Sequence, residues 1–328
     1  MRTADDTRYK IQNTKYKVEI IFFGSPEFAA IILERLVKNN LKPVLVVTPS
    51  DKPVGRKQEL TAPATKLMAE KHGIPVLQPD SLENREFLKI LSNCHPDIIV
   101  LAAFGPPFLT KEILSLPKFG CLNVHPSLLP KYRGASPIPQ AILNGEKQTG
   151  VTIFRMSEKI DQGDILSQET MAILSTDTTQ TLTLKLADLG GYVLAKTIPA
   201  LTAGKVSPLP QDKSPTPYTF QLKKEHGKIN WQNQADFIEK QIRAFTPWPG
   251  TYTGFQGKNL KIIKAHVINK NRQPLNPGFV FLDKAENLVV QTGKDCLAIE
   301  ELQLEGGEPM EAREFLLGHR NIIGNILD

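Results

Sequence analysis

Through about residue 200 the chain alternates short, continuous apolar runs with longer stretches in which apolar positions recur every three or four residues. The first pattern suits a strand buried on both faces, the second a helix with one buried stripe. The run at 18–23 leads through Gly24, Ser25 and Pro26 into helical periodicity that ends near Asn39. Ser25 is placed to cap that helix, Pro26 suits its first turn, and Glu27 complements its positive end. Similar units recur in PVLVVTP (43–49), a helix near 62–72, VLQP (76–79), a helix near 82–92 and DIIVLAAFG (97–105). After CLNVHPSLLP (121–130), the pattern predicts a helix near 137–143, strands in GVTIFRM and DILSQETMAI, and a helix near 177–199. Such an order predicts an α/β unit with a mostly parallel sheet covered on both faces.

The texture then changes. Pro208, Pro210, Pro215 and Pro217 stand among polar and charged residues, so 208–217 is expected to be an extended, semi-rigid linker. Beyond it come a short helix (235–245), Gly/Pro turns and brief alternating strands such as NLKIIKAHVI and NLVVQTG, which predict a small β-barrel. The expected organisation is an extension over 1–17 with no assigned role, a first domain over 18–207, the linker, and a second domain over 218–328.

At 41% hydrophobic and 23% charged residues, the 328-residue composition excludes disordered, fibrous and collagen-like classes. A net charge of +6 permits an anionic partner without demanding one. Cys94, Cys121 and Cys296 are too few and too scattered for a disulfide framework or a zinc site, so a reducing compartment is the default. No apolar core of a signal peptide and no membrane-length apolar run is present, so a cytoplasmic location is expected.

Candidate chemistry gathers in CLNVHPSLLPKYRG. Asn123 and His125 are two apart at a strand end and share one face of the pleat. The carboxyl edge of an open parallel sheet is the default place for a ligand. KIDQGDIL adds Asp161 and Asp164 around Gly163 in a turn. Taken singly, a strand histidine is more often structural, and a turn aspartate more often caps its own backbone. Together, an amide, an imidazole and a carboxylate could serve acyl transfer by stabilising an oxyanion and handling a proton. No nucleophile accompanies them. Cys121 has apolar surroundings that suit an inert buried thiol, and there is no nucleophile elbow or zinc-ligand spacing. Direct attack by an amine substrate is preferred. FFGSPEF lacks the three glycines of a dinucleotide site, so Gly24 is read as serving its turn.

The string LNVHPSLLPKYRGASPIPQAILNGEKQTGVTIFRM followed by DQGDIL closely resembles the signature of the folate-dependent formyltransferase superfamily. Within it, FFGSPEFAA, VVTPSDKPVGRKQEL, HGIPVLQP, PLPQD and IRAFTPWPGTY are similar to the methionyl-tRNA formyltransferases, over about 18–320. The resemblance implies a Rossmann-like, doubly wound first domain and an OB-like C-terminal barrel that lies along the transfer RNA. It implies that Asn123, His125 and Asp161 are the catalytic trio, and that the formyl donor is 10-formyltetrahydrofolate with no metal. Ala102, Ala103, Phe104 and Gly105, with 156–161, correspond to the wall of the pterin pocket, and Ser127, Leu128, Leu129 and Pro130 are also assigned to folate. The acceptor implied is initiator methionyl-tRNA, and a monomer is expected.

The basic loop SDKPVGRKQEL carries Lys52, Arg56 and Lys57, and by charge alone it reads as a solvated loop. The resemblance makes it a loop that enters the acceptor stem, with Arg56 as its principal basic residue. KNLKIIKAHVINKNR adds Lys258, Lys261, Lys264, Lys270 and Arg272 with no intervening acid, a candidate phosphate-facing surface whose equal alternative is an ordinary strand pair with exposed lysines. Trp231 and Trp248 could stack bases, although the prolines beside Trp248 favour packing within the barrel. Two rival functions stand: formylation of an amino-sugar nucleotide, and a non-catalytic RNA-binding module.

Overall fold

The computed structural model describes residues 18–54, 58–106, 108–212, 218–268 and 275–328. The 1–17 extension, Arg56, Lys57, Pro107, Pro215, Pro217, Lys270 and Arg272 lie outside the described residues. In chain order the first elements are β1 (Ile20–Gly24), α1 (Glu27–Lys38), β2 (Leu45–Val47), β3 (Lys52–Val54), β4 (Glu59–Thr61), α2 (Ala64–Lys71), β5 (Val76–Leu77) and α3 (Arg85–Asn93). They are followed by β6 (Ile98–Ala102), α4 (Lys111–Ser115), β7 (Cys121–His125), α5 (Pro137–Leu143), β8 (Gln148–Arg155), β9 (Ile165–Ala172) and α6 (Thr179–Thr202). The remainder comprises α7 (Ala235–Ala244), β10 (Thr251–Phe255), β11 (Lys258–Ile268), β12 (Val280–Leu282), β13 (Leu288–Gln291), β14 (Cys296–Leu304), β15 (Met310–Glu311) and α8 (Ala312–Gly318).

Two compact units result, and they interleave along the chain. One gathers residues up to Gly134 with Gln148–Ala172 and Thr183–Tyr218; the other gathers Ala135–Lys147, Ile173–Leu182 and Thr219–Asp328. A single boundary at a linker therefore does not describe the packing, because α5 and the start of α6 group with the later residues.

In the first unit the sheet runs β5-β2-β1-β6-β7-β8-β9. β5, β2, β1, β6 and β7 are parallel, whereas β8 and β9 join antiparallel. Every residue of β1 and β2 is buried, as their unbroken apolar runs require. β9 is an edge strand and leaves Gln168, Glu169 and Thr170 exposed. Ile21, Phe23, Val47, Leu91, Ile99, Ile113 and Cys121 pack in one apolar cluster beside β6 and β7. Gly24 serves a close approach, since a Cβ there would lie 2.6 Å from Ala29 Cβ and 3.2 Å from the Ala102 carbonyl oxygen.

Two local expectations are corrected. Ser25 does not cap α1: Pro26 occupies the cap position, its carbonyl accepts from Ala29 and Ala30, and no side-chain cap bond forms. The Ser25 carbonyl instead accepts from the Thr65 amide. The stretch read as a loop contains the β3–β4 hairpin, with Lys52 opposite Thr61 and Val54 opposite Glu59. Backbone pairing makes that hairpin, which no apolar pattern announces, because all of β4 is exposed.

The second unit is an antiparallel half-barrel ordered β10-β11-β14-β13-β12, with β15 on β14. Among the described residues β10 and β12 do not pair, so the expected barrel stays open. Helices supply the cover instead: Ile238 and Ile242 of α7 and Phe315 of α8 join Ile262, Leu297 and Leu302 in the core. Trp231 is buried there and its indole N–H donates to Thr253 Oγ1 at 3.0 Å. Trp248 departs from its expected packing and is 56% exposed.

Candidate active site

β7 delivers Asn123 and His125 to one end of the first sheet. Asn123 stands opposite Leu101 of β6 and Phe154 of β8, and His125 opposite Thr152. The His125 ring is buried and lies nearly perpendicular to Phe154, at a centroid distance of 6.4 Å. Its Nε2 lies 3.0 Å from the Tyr132 carbonyl, an acceptor that makes this nitrogen an N–H. Nδ1 lies 3.9 Å from Asp161 Oδ2, beyond a direct hydrogen bond. Asn123 is half-buried, and among the described residues its side chain makes no hydrogen bond. The structure therefore brings His125 and Asp161 together, with Asn123 two residues before His125 on the same strand.

Asp161 does not cap its own turn. Its Oδ2 accepts from the Gly134 amide at 2.8 Å, across a sequence separation of 27. The turn is tight: Asp161 has φ 51°, in the left-handed region, and a Cβ on Gly163 would come within 1.7 Å of the Arg155 carbonyl oxygen. Asp164 contributes its carbonyl to the Arg155 amide. Sequence reading did not single out Tyr132 and Gly134, whose backbone groups hold the histidine and the aspartate. Their signal was available only as position, in PKYRG directly after the strand.

Cys121 is 1% exposed, its thiol donates toward the Ile113 carbonyl at 3.6 Å, and burial pushes that thiol up to about 12. A nucleophilic thiolate is thereby excluded at neutral pH.

Among the folate candidates, Ala103 (φ 44°) and Gly105 (φ 80°) are exposed in left-handed conformations at the end of β6. Phe104 turns inward against Phe23, ring centroids 5.3 Å apart, and Ala102 is fully buried. Ser127 and Leu129 spend their polar atoms inside the protein. Thr152 Oγ1 donates to the Ser127 carbonyl at 2.6 Å and accepts from the Leu129 amide at 3.1 Å. Leu128 and Pro130 are half-buried. A groove of about 550 Å³, lined by Lys111, Leu114, Ser115, Met156, Ser157, Glu158 and Lys159, runs along the segment that leads to Asp161.

Comparison with known proteins agrees with this arrangement. A family model described as formyl transferase matches residues 16–198, and one described as formyl transferase, C-terminal domain, matches 221–320. The chain is 45% identical over 312 residues to methionyl-tRNA formyltransferase of Caldanaerobacter subterraneus subsp. tengcongensis, covering 94% of this chain and 100% of that protein. It is 43% identical over 302 residues to methionyl-tRNA formyltransferase of Halalkalibacterium halodurans, covering 92% of this chain and 95% of that one. The chain belongs to the methionyl-tRNA formyltransferase family. Its fold is shared with HypX from Aquifex aeolicus in complex with tetrahydrofolic acid, at TM-score 0.62 and 16% identity over 92% of this chain and 47% of that one. It is also shared with WlaRD, a sugar 3N-formyl transferase, at TM-score 0.61 and 22% identity over 89% of this chain and 100% of that one.

In this formyltransferase the basic candidates for RNA differ in their surroundings. Lys52 is exposed on β3. Its neighbour Asp51 is engaged by Lys66 Nζ at 2.9 Å and by Gln78 Nε2 at 2.8 Å. The Gln78 hydrogen bond, then Lys66, hold the Asp51 carboxyl below its usual range. Lys258, Lys261 and Lys264 are all exposed on β11. Lys264, however, pairs with Glu300 of β14 at 2.7 Å, and Glu300 also meets His266 at 2.7 Å. The acid missing from the linear sequence is supplied across the sheet. No helix among the described residues is long and apolar enough to cross a membrane.

Proposed function

We propose that the protein transfers the formyl group of 10-formyltetrahydrofolate to the α-amino group of methionyl-initiator tRNA, acting as a monomer in the cytoplasm. The observation that carries this reading is the approach of Asp161 to His125, two residues beyond Asn123 on β7, in a chain whose relatives are named methionyl-tRNA formyltransferase. The residues present suit a folate. Ala103 and Gly105 are exposed at the end of β6, and the groove along the segment before Asp161 carries Lys159 and Lys111, the latter paired with Glu158 at 3.0 Å.

When bound, the folate supplies an activated formyl carbon. The Asn123 amide presents an unengaged N–H toward the oxygen on which negative charge develops. His125 Nε2 is committed to Tyr132, so Nδ1 is the ring donor left for that oxygen. Asp161 Oδ2 lies 3.9 Å from Nδ1, where its charge favours positive charge on the ring without a direct hydrogen bond. The Asp161 carboxylate, reached through one water, accepts the proton released by the attacking amine. The amine reacts directly, since Cys121 is unavailable as a nucleophile: its nitrogen bonds to the formyl carbon as the carbon–N10 bond of the donor breaks, and the proton passes on to the departing N10.

The test is a formylation assay with methionyl-initiator tRNA beside an amino-sugar nucleotide. Transfer to the tRNA alone is expected. Transfer to the sugar amine alone would reassign the acceptor, and transfer to neither would leave a non-catalytic RNA-binding role.

A further inference from the structure

We infer that Gln211, acting with Arg133, is a positioning residue for formyl transfer: a buried amide contributed by the proline-rich segment that holds the Asp161 turn and the backbone contacts of both His125 and Asp161. This rests on the functional reading above.

Gln211 and Arg133 are 8% and 7% exposed, unusual burial for such side chains. Nε2 of Gln211 donates to the Asp161 carbonyl at 2.9 Å and to the Gly163 carbonyl at 2.8 Å, clasping both ends of the Asp-x-Gly turn. Its Oε1 accepts from Arg133 Nε at 3.1 Å and Nη2 at 2.7 Å, and Nη2 also reaches the Asp212 carbonyl at 3.4 Å. Arg133 lies between the two residues that contact the trio through their backbones. The Tyr132 carbonyl accepts from His125 Nε2, and the Gly134 amide donates to Asp161 Oδ2. The bonds close a ring from the Arg133 guanidinium through the Gln211 amide, the Asp161 backbone and the Asp161 carboxylate to the Gly134 amide, and so back to Arg133.

Such a ring matters because neither backbone segment holds its own shape. Asp161 (φ 51°) and Tyr132 (φ 59°) are non-glycine residues in the left-handed region, a conformation that persists only where surrounding contacts impose it. Hydrogen bonds sealed from water strengthen one another and fix geometry more firmly than solvated ones. The segment that brings Gln211 is itself anchored, since Leu209 and Ile165 exchange two backbone bonds of 2.8 Å. Two residues beyond Leu209, which is 64% exposed, the chain turns Gln211 inward. The side-chain chemistry is specific: only an amide offers two N–H groups to the carbonyls together with an oxygen for the guanidinium.

The experiment compares the full-length protein with Gln211→Ala and Gln211→Glu. The glutamate variant is nearly isosteric and keeps the acceptor for Arg133, but lacks both N–H donors. In the methionyl-tRNA formylation assay, both variants should lose about 10–100-fold in kcat, with KM for the folate and for the tRNA within about twofold of the unaltered protein. Without any substrate, hydrogen exchange at the Gly134 amide, which reports the bond to Asp161, should quicken by about tenfold. Unchanged kcat, a loss carried by KM, or unchanged Gly134 exchange in the folded glutamate variant would overturn the inference. Failure of both variants to fold would also overturn it, in favour of a scaffold role. Absence of transfer by the unaltered protein would sink the functional reading alone, because the exchange comparison stands without a substrate.

Discussion

Replacing Asn123 or His125 by alanine removes one N–H donor from the oxygen at which charge develops. Loss of such a donor costs about 10²–10³ in turnover, so rapid-quench single-turnover formylation should slow by that factor in each variant while thermal melting stays near that of the parent. Unimpaired transfer in both would dissociate the pair from the chemistry. Gly163→Ala is a different kind of perturbation. Its methyl would enter the space of the Arg155 carbonyl oxygen, 1.7 Å away, so the turn bearing Asp161 must shift. A destabilisation of at least about 1–3 kcal/mol is expected from the melting curve, with formyl transfer impaired alongside it. Cys121 carries a pH dependence. Burial raises its thiol from 9.0 to about 12, so the unfolded chain ionises first. This contribution is whole below pH 9 and lost as pH rises from there toward 12. Urea midpoints at pH 8 and 10.5 should therefore fall further for the parent than for Cys121→Ala, and equal falls would contradict the assignment.

At the scale of elements, β11 shows how a sheet edits a charge pattern. Strict alternation would send Lys261 and Lys264, three apart, to opposite faces. The register shifts between Ile262 and Ala265, and both lysines emerge exposed while Leu260, Ile262 and Ala265 remain inside. Their electrostatic situations then diverge. Lys264 is tied to Glu300, whose hydrogen bond raises the lysine and holds the carboxylate low, whereas Lys261 stands opposite Gln303 on β14 and Tyr252 on β10. If this strand meets tRNA phosphates, Lys261→Ala should shallow the slope of log K against log salt by about 0.7–0.9, and Lys264→Ala by distinctly less. Binding titrations at several salt concentrations decide it, and equal slopes for the two variants would argue against the distinction.

For the whole molecule, the described part of the proline-rich segment, 208–212, belongs to the first unit. A chain ending at Tyr218 keeps Leu209 and Gln211, whereas one ending at Ser207 exposes Ile165 and leaves the Arg133 fork without Gln211. Loss of partners for a buried polar group costs about 1–3 kcal/mol. Melting of the shorter chain should accordingly come at lower temperature, by roughly 2–4 °C per kcal/mol. Equal melting would show the docked segment to be dispensable. Much of the architecture was legible beforehand. Unbroken apolar runs predict buried strands and three-to-four periodicity predicts helices, because both record which faces leave water. That reading placed β1, α1, β6 and α6 within a few residues of their observed bounds. The Asn-x-His spacing could be read equally well, since pleat alternation is a local property. Tertiary structure alone decided that Asp161 bonds to Gly134 rather than to its own turn, that Trp248 faces outward, that Glu300 neutralises Lys264, and that Gln211 leaves a linker to join the site. Each depends on a partner distant in sequence, and a hydrogen bond or ion pair leaves no periodic trace in the chain that supplies it.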